Sequence, residues 1–227
     1  PGYFVHDAIL NRKERDLLAE DELPQALELS SILAARDRGA LVIDTRDQSA
    51  FSGGHIDGSV NIALDGRFAE YAGSVARPGD ELVLVSEPGT EAEARTRLAR
   101  IGFDSVTGYL ADPYVAMAAH PDAVKPSSRL TAQEFLARRA ELDDLVVIDV
   151  RNPGETETGT LEGAITVPVA RLRDEIDELA DHRDSPIVAM CAGGYRSSIA
   201  ASLLRANGFT DVSDLLGGYG ALDAAQH

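Results

Sequence analysis

Along the chain, short apolar runs alternate with amphipathic stretches of helical spacing, and the whole alternation occurs twice. Leu41-Val42-Ile43-Asp44-Thr45-Arg46 reads like Val146-Val147-Ile148-Asp149-Val150-Arg151, with Asp44 and Asp149 separated by 105 positions. The same offset links Gly54 to Gly159, Gly58 to Gly163, Ile62 to Val167 and Ser86 to Cys191, and by Gly102-Phe103 against Gly208-Phe209 it has grown to 106. A register held this long marks a duplication whose unit is too long for a solenoid repeat and large enough to be a domain. In the second copy the pattern predicts a helix from Thr131, with Glu134 completing a capping box. It predicts strands over 145–149, 164–167, 187–190 and near 211–215, and helices over about 170–180 and 197–206. Pro153, Gly154 and Gly159 mark a turn-rich segment, and Asn207-Gly208 supply a left-handed helix stop. Near-continuous apolar strands alternating with helices predict an α/β fold, each copy a parallel sheet with helices on both faces. The polar, proline-containing stretch 120–128 is expected to link a first domain over 25–119 to a second over 129–227. Residues 1–24, charged and weakly periodic, are expected to form an N-terminal arm or a linker from an upstream domain.

The apolar run Pro186-Ile187-Val188-Ala189-Met190 leads into Cys191-Ala192-Gly193-Gly194-Tyr195-Arg196-Ser197-Ser198, which holds the chain's single cysteine. In open parallel sheets, ligands bind at the carboxyl ends of strands, where this thiol falls. Loop N–H groups and the positive end of a following helix dipole favour an anion there, and the same field favours a nucleophilic thiolate. A lone cysteine is more often an inert small hydrophobe; the glycines and the arginine that follow argue against that here. Gly193 and Gly194 are expected to allow backbone angles that a Cβ would forbid.

The remaining composition narrows the function classes. An apolar share of 44% and a charged share of 26% are those of an ordinary soluble globular protein. No apolar stretch approaches a membrane span, and no signal peptide is visible. One cysteine excludes an internal disulfide and fits a cytoplasmic location. A start at Pro1 without methionine predicts a piece of a longer chain. The net charge of −17 argues against nucleic acid or a membrane surface as partner, so a site for an anion must build its own positive potential. His6, His55, His120, His182 and His227 are scattered without ligand spacing, which predicts no metal site.

Taken together, Ile148-Asp149-Val150-Arg151, Gly159-Thr160-Leu161-Glu162-Gly163-Ala164 and the loop from Cys191 to Ser197 resemble the motifs of rhodaneses. The first copy carries Ile43-Asp44-Thr45-Arg46 and Gly54-His55-Ile56-Asp57-Gly58-Ser59 in the same places, so nearly the whole chain resembles a tandem rhodanese. The ending Gly208-Phe209, Asp211-Val212 and Gly217-Gly218-Tyr219 is similar too. Two departures stand out: Gly159-Thr160-Leu161 where the family usually has Gly-His-Ile, and no tryptophan after Gly-Gly-Tyr, with Leu222 nearby. The resemblance implies cofactor-free sulfur transfer through a persulfide on Cys191, from thiosulfate or a low-molecular-weight persulfide to a thiol or cyanide. Backbone N–H groups of Ala192, Gly193, Gly194, Tyr195, Arg196 and Ser197 would hold the substrate, with the Arg196 guanidinium meeting a sulfonate or serving as a structural salt bridge. Tyr195 lines the entrance or packs. Asp149 and Arg151 recur in the first copy as Asp44 and Arg46, which favours a supporting ion pair or turn cap for them. Glu155, Arg171 and Arg173 either tune substrate entry or, the reading favoured here, are solvated surface.

The first copy has Ser86 and Glu91 at the positions of Cys191 and Arg196, which implies a catalytically dead domain serving as scaffold or binding partner. Two rival functions remain. A cysteine phosphatase or arsenate reductase of the same fold generally has five residues between cysteine and arginine, where this loop has four. A non-catalytic regulatory pair is the other. Finally, Pro1-Gly2-Tyr3-Phe4 with Asn11-Arg12 is similar to the segment joining a metallo-β-lactamase-like domain to two rhodanese domains in bacterial fusions, which implies such a domain upstream.

Overall fold

A computed structural model describes residues 23–226, and within it the chain divides into two units that meet between Lys125 and Pro126. In the first unit the elements run β1 (Ala26–Leu27), α1 (Leu29–Asp37), β2 (Leu41–Asp44), α2 (Gln48–Gly53), β3 (His55–Ile56), β4 (Val60–Asn61), α3 (Phe68–Val75), β5 (Leu82–Val85), α4 (Glu91–Ala99), β6 (Val106–Leu110), α5 (Pro113–Ala119) and β7 (Val124–Lys125). In the second they run β8 (Ser128–Leu130), α6 (Ala132–Glu141), β9 (Val146–Asp149), α7 (Pro153–Thr156), β10 (Ile165–Thr166), α8 (Val169–Glu175), β11 (Pro186–Met190), α9 (Tyr195–Ala206), β12 (Asp211–Leu215) and α10 (Gly218–Gln226).

Each unit holds a five-stranded sheet, ordered β1-β6-β5-β2-β4 in the first and β8-β12-β11-β9-β10 in the second. These orders are the same under the duplication, and the recorded pairings in both sheets are parallel. Every residue of β5 and of β11 is buried, so helices cover both faces of each sheet centre, as unbroken apolar strands require. The first core gathers Leu29, Ile32, Val42, Val83 and Leu110, and the second Phe135, Val147, Val188, Met190, Leu215 and Leu222. Leu222, 1% exposed, thus fills core space near the end of the second copy.

The return of the repeat offset from 106 to 105 has a local cause. Leu82 pairs with Val106 but Val83 pairs with Gly108, so Thr107 is an extra residue in a β-bulge of the first copy. In the second copy Ile187 and Val188 pair with Val212 and Ser213 without a break. The bulge restores the offset of 105, and Leu110 and Tyr114 correspond to Leu215 and Tyr219.

Several boundaries differ from those read along the chain. The segment 120–128 carries a 3₁₀ turn at Pro121–Ala123, β7 paired antiparallel with β3 through His55 to Lys125 and Ile56 to Val124, and the start of β8. The helix expected over 170–180 is α8 followed by 3₁₀ turns over Ile176–His182, with Leu172, Ile176 and Leu179 buried along one side. The capping box at Thr131 forms, with Glu134 N donating to the hydroxyl at 3.2 Å and Thr131 N to the carboxylate at 2.8 Å. The expected N-terminal arm lies, up to residue 22, outside the described residues.

Candidate active site

The centre of the second sheet ends at a thiol. β11 is wholly buried, Cys191 directly after it is 1% exposed, and the chain surfaces at Ala192 and Gly193 before turning into α9. The turn depends on Gly194, whose φ of 97° lies in the left-handed region; a Cβ there would meet Gly217 N at 3.2 Å. Gly193 is not left-handed and a Cβ on it would meet nothing within 4 Å, so the freedom expected of both glycines belongs to Gly194. In this conformation Gly194 N donates to Cys191 Sγ at 3.1 Å, and Ser197 Oγ lies 3.6 Å from the sulfur while bonded to Gly194 O at 3.1 Å. α9 begins at Tyr195, two residues before its sequence-based start, because Gly194 itself serves as the cap. Tyr195, Arg196 and Ser197 are therefore carried on the rigid first turn of a helix whose N-terminus faces the sulfur side of the loop.

Arg196 forms a salt bridge, one of the two roles open to it in the sequence. Its two outer nitrogens bind the Glu155 carboxylate, Nη1 to Oε2 at 2.6 Å and Nη2 to Oε1 at 2.7 Å, a fork-to-fork pair. Glu155, expected to be solvated surface, is the third helical residue after Asn152 in α7 and also accepts from Asn152 N at 3.0 Å. The Arg196 hydrogen bonds, with the Asn152 amide, hold its carboxyl down at about 2. A capping-box spacing at Asn152-Pro153-Gly154-Glu155 was legible in the chain; the partner 41 residues away was not.

Asp149 and Arg151 form a buried ion pair, and Arg151 N also donates to Asp149 Oδ1 at 3.1 Å. Arg151 Nε and Nη2 hold the Asp149 carboxylate at 3.0 and 2.7 Å, and Arg151 Nη2 also donates to Gly159 O at 2.8 Å. The Asp149 hydrogen bond holds the Arg151 guanidinium even more firmly protonated than usual. Thr160 donates to Asp149 Oδ2 at 2.8 Å, and the Tyr219 ring lies 4.2 Å under the Arg151 guanidinium carbon. Tyr219 N in turn donates to Cys191 O at 2.7 Å, and Gly220 N to Ala192 O at 3.3 Å. This close docking of α10 requires Gly218: its φ is 59°, and a Cβ would fall 2.1 Å from Cys191 O. The Gly217-Gly218-Tyr219 ending thus holds the backbone of the cysteine loop, a role that sequence reasoning missed.

Residues 26–118 and 131–225 each match the family of the rhodanese-like domain. The chain belongs to the rhodanese family. Among curated relatives, the uncharacterized protein YqhL of Bacillus subtilis is 39% identical over 92 residues, which cover 40% of this chain and 68% of that one. A tRNA uridine(34) hydroxylase of Rhodococcus erythropolis is 41% identical over 81 residues, covering 34% of this chain and 28% of the hydroxylase. Among solved structures, a thiosulfate sulfurtransferase from Pseudomonas aeruginosa is 22% identical, covering 89% of this chain and 42% of that one, with a TM-score of 0.40.

The first rhodanese domain repeats the scaffold with other residues at the loop. Arg46 binds Asp44 through Nε at 3.0 Å and Nη2 at 2.6 Å and reaches Gly54 O at 2.9 Å, matching Arg151, and Tyr114 lies 5.4 Å from it as Tyr219 lies over Arg151. Burial pushes the Asp44 carboxyl up. Where the second domain has Thr160, His55 stacks on Phe51 and bonds its carbonyl at 3.0 Å through Nδ1. At the loop, Ser86 Oγ accepts from Thr45 at 2.8 Å, and Gly89, the counterpart of Gly194, donates its N–H to Glu91 Oε2 at 2.9 Å. The domain's own carboxylate takes the amide that meets the sulfur in the second rhodanese domain. Among the described residues no helix is long and apolar enough to cross a membrane.

Proposed function

We propose that the second domain is a sulfurtransferase carrying sulfane sulfur as a persulfide on Cys191. The observation that carries this reading is the Gly194 N–H directed at Cys191 Sγ from 3.1 Å, at a helix N-terminus. That arrangement stabilises a sulfur-centred anion, the charge on both the resting thiolate and the persulfide. Cys191 Sγ attacks the outer sulfur of thiosulfate or a persulfide; a new S–S bond forms, the donor's S–S bond breaks, and sulfite or a thiolate leaves with the electron pair. A thiol or cyanide then attacks the outer sulfur of the persulfide, and the Cys191 thiolate leaves. This is two-step covalent transfer, with ping-pong kinetics. Four residues between Cys191 and Arg196 favour a sulfur donor over a phosphate ester.

With Ser86 and Glu91 in its loop, the first domain takes no part in the chemistry and acts as scaffold or binding partner. The similarity at Pro1-Gly2-Tyr3-Phe4 and Asn11-Arg12, outside the described residues, supports a metallo-β-lactamase-like domain upstream in a cytoplasmic parent protein. An upstream reading frame without a His-x-His-x-Asp-His-type motif would remove that part of the proposal.

The decisive experiment measures thiocyanate formed from sulfur donor and cyanide by the protein and by Cys191→Ser. Transfer by the former and none by the latter is expected. Undiminished transfer by the serine variant would overturn the assignment, and aryl phosphate hydrolysis lost on the same substitution would favour a phosphatase instead.

A further inference from the structure

We infer that Glu155 is a specificity-determining residue: its carboxylate occupies the bidentate face of Arg196, so the site discriminates against small inorganic dianions such as thiosulfate and takes the outer sulfur of low-molecular-weight persulfides. This rests on the sulfur-transfer reading. A sulfonate would dock on the two outer guanidinium nitrogens, but both already bind carboxylate oxygens, at 2.6 and 2.7 Å. Glu155 is held from its other side by Asn152 N and is carried on α7, so it does not swing away without losing a helix cap. The Arg196 side chain is only 12% exposed, which leaves it little freedom to turn to a second partner. Arg151, on the neighbouring strand end, is likewise paired, with Asp149. The two arginines that the site's loops supply are thus each matched by a carboxylate.

The charges of the leaving groups then decide between donors. Thiosulfate is a dianion and expels sulfite, whose charge sits on the sulfonate oxygens beyond the transferred sulfur. A persulfide RSSH expels a thiolate, a single charge on the inner sulfur, and the proton carried over on the outer sulfur is then released to solvent, leaving the persulfide anion on Cys191. The dipole at the start of α9 with the Gly194 N–H suits one negative charge, and Glu155 opposes a second.

The test compares transfer to cyanide from thiosulfate and from an alkyl persulfide with no charge on its alkyl group, which carries at most one negative charge, using the whole chain and its Glu155→Gln and Glu155→Asp variants. Glutamine keeps an oxygen for the Asn152 amide and removes the charge. The expected result is a wild-type preference for the persulfide, a KM for thiosulfate about tenfold lower in Glu155→Gln, an unchanged persulfide KM, and the wild-type ratio in Glu155→Asp. An unchanged donor ratio in Glu155→Gln, or a raised thiosulfate KM, would overturn the proposal and leave Glu155 as a support for Arg196. Calorimetric titration with thiosulfate reads the same contrast without turnover: tighter binding by Glu155→Gln supports the inference, equal or weaker binding sinks it. If no protein transfers sulfur from either donor, the sulfurtransferase reading fails while this titration still decides the role of Glu155. Glu155→Ala gives the same comparison should the glutamine variant not fold.

Discussion

Two carboxylate–arginine pairs, alike in geometry, differ in what their removal should do. Arg151 and Asp149 are 5% and 0% exposed at their side chains, so truncating the arginine strands a buried charge. Arg151→Ala should lower unfolding stability by about 3–5 kcal/mol in urea titrations; a loss near zero would mean that water or another cation replaces it. The Arg196–Glu155 pair lies nearer solvent and shows itself through pH. The folded Glu155 carboxyl, at about 2, lies below its ordinary 4.5, so the pair stabilises the fold above pH 4.5 and that contribution is lost as pH falls toward 2. The stability gap between the wild type and Glu155→Gln should therefore be widest near neutrality and close on acidification. A gap independent of pH would assign the effect to packing. Cys191 and Arg196 were both legible as a loop motif, whereas Glu155 read as surface because its partner is 41 residues distant in sequence.

At the scale of elements, the strands and helix starts follow from local chemistry, and the couplings between them do not. Thr131 and Glu134 announce a capping box because both partners lie within one turn, and the box forms. Thr131→Ala should cost about 1 kcal/mol, measured by thermal or urea unfolding, without altering sulfur transfer. Gly218 belongs to the opposite case. Its need for glycine arises from the carbonyl of Cys191 in another loop, 2.1 Å from where a Cβ would sit. Gly218→Ala should push α10 off the cysteine loop, reducing transfer as well as stability, the latter by about 1–3 kcal/mol. Full activity in that variant would show that the loop needs no backing from α10.

For the whole molecule, duplication and charge set the expectations. The core, the cysteine loop and the Glu155, Arg151 and Tyr219 contacts of the second domain all lie between residues 126 and 227. A fragment spanning 126–227 should fold and retain transfer activity toward small donors; an inactive but folded fragment would give the first domain a catalytic role. A formal charge of −17 repels anionic donors at long range, and salt screens that repulsion. Raising ionic strength should therefore lower the KM for thiosulfate, whereas a rise in KM would mean that local positive charge governs its approach.

The sequence by itself determined the duplication, the α/β class, the strand that ends at Cys191 and the serine, Ser86, at the matching place of the first copy. Each of these rests on residue type and on spacing within one element or one repeat, where hydrophobic period and turn chemistry act locally. The tertiary structure decided that Gly194 and not Gly193 turns the loop, that Glu155 holds Arg196, that Gly218 and Tyr219 back the cysteine, and that Glu91 closes the first domain's cradle on itself. Most of these contacts join groups far apart in the chain, and the rest, at Gly194 and Glu91, depend on how a side chain or amide is aimed within its loop. Spacing along a sequence encodes neither, because direction and distance in space are set only once the sheet has brought its strand ends together.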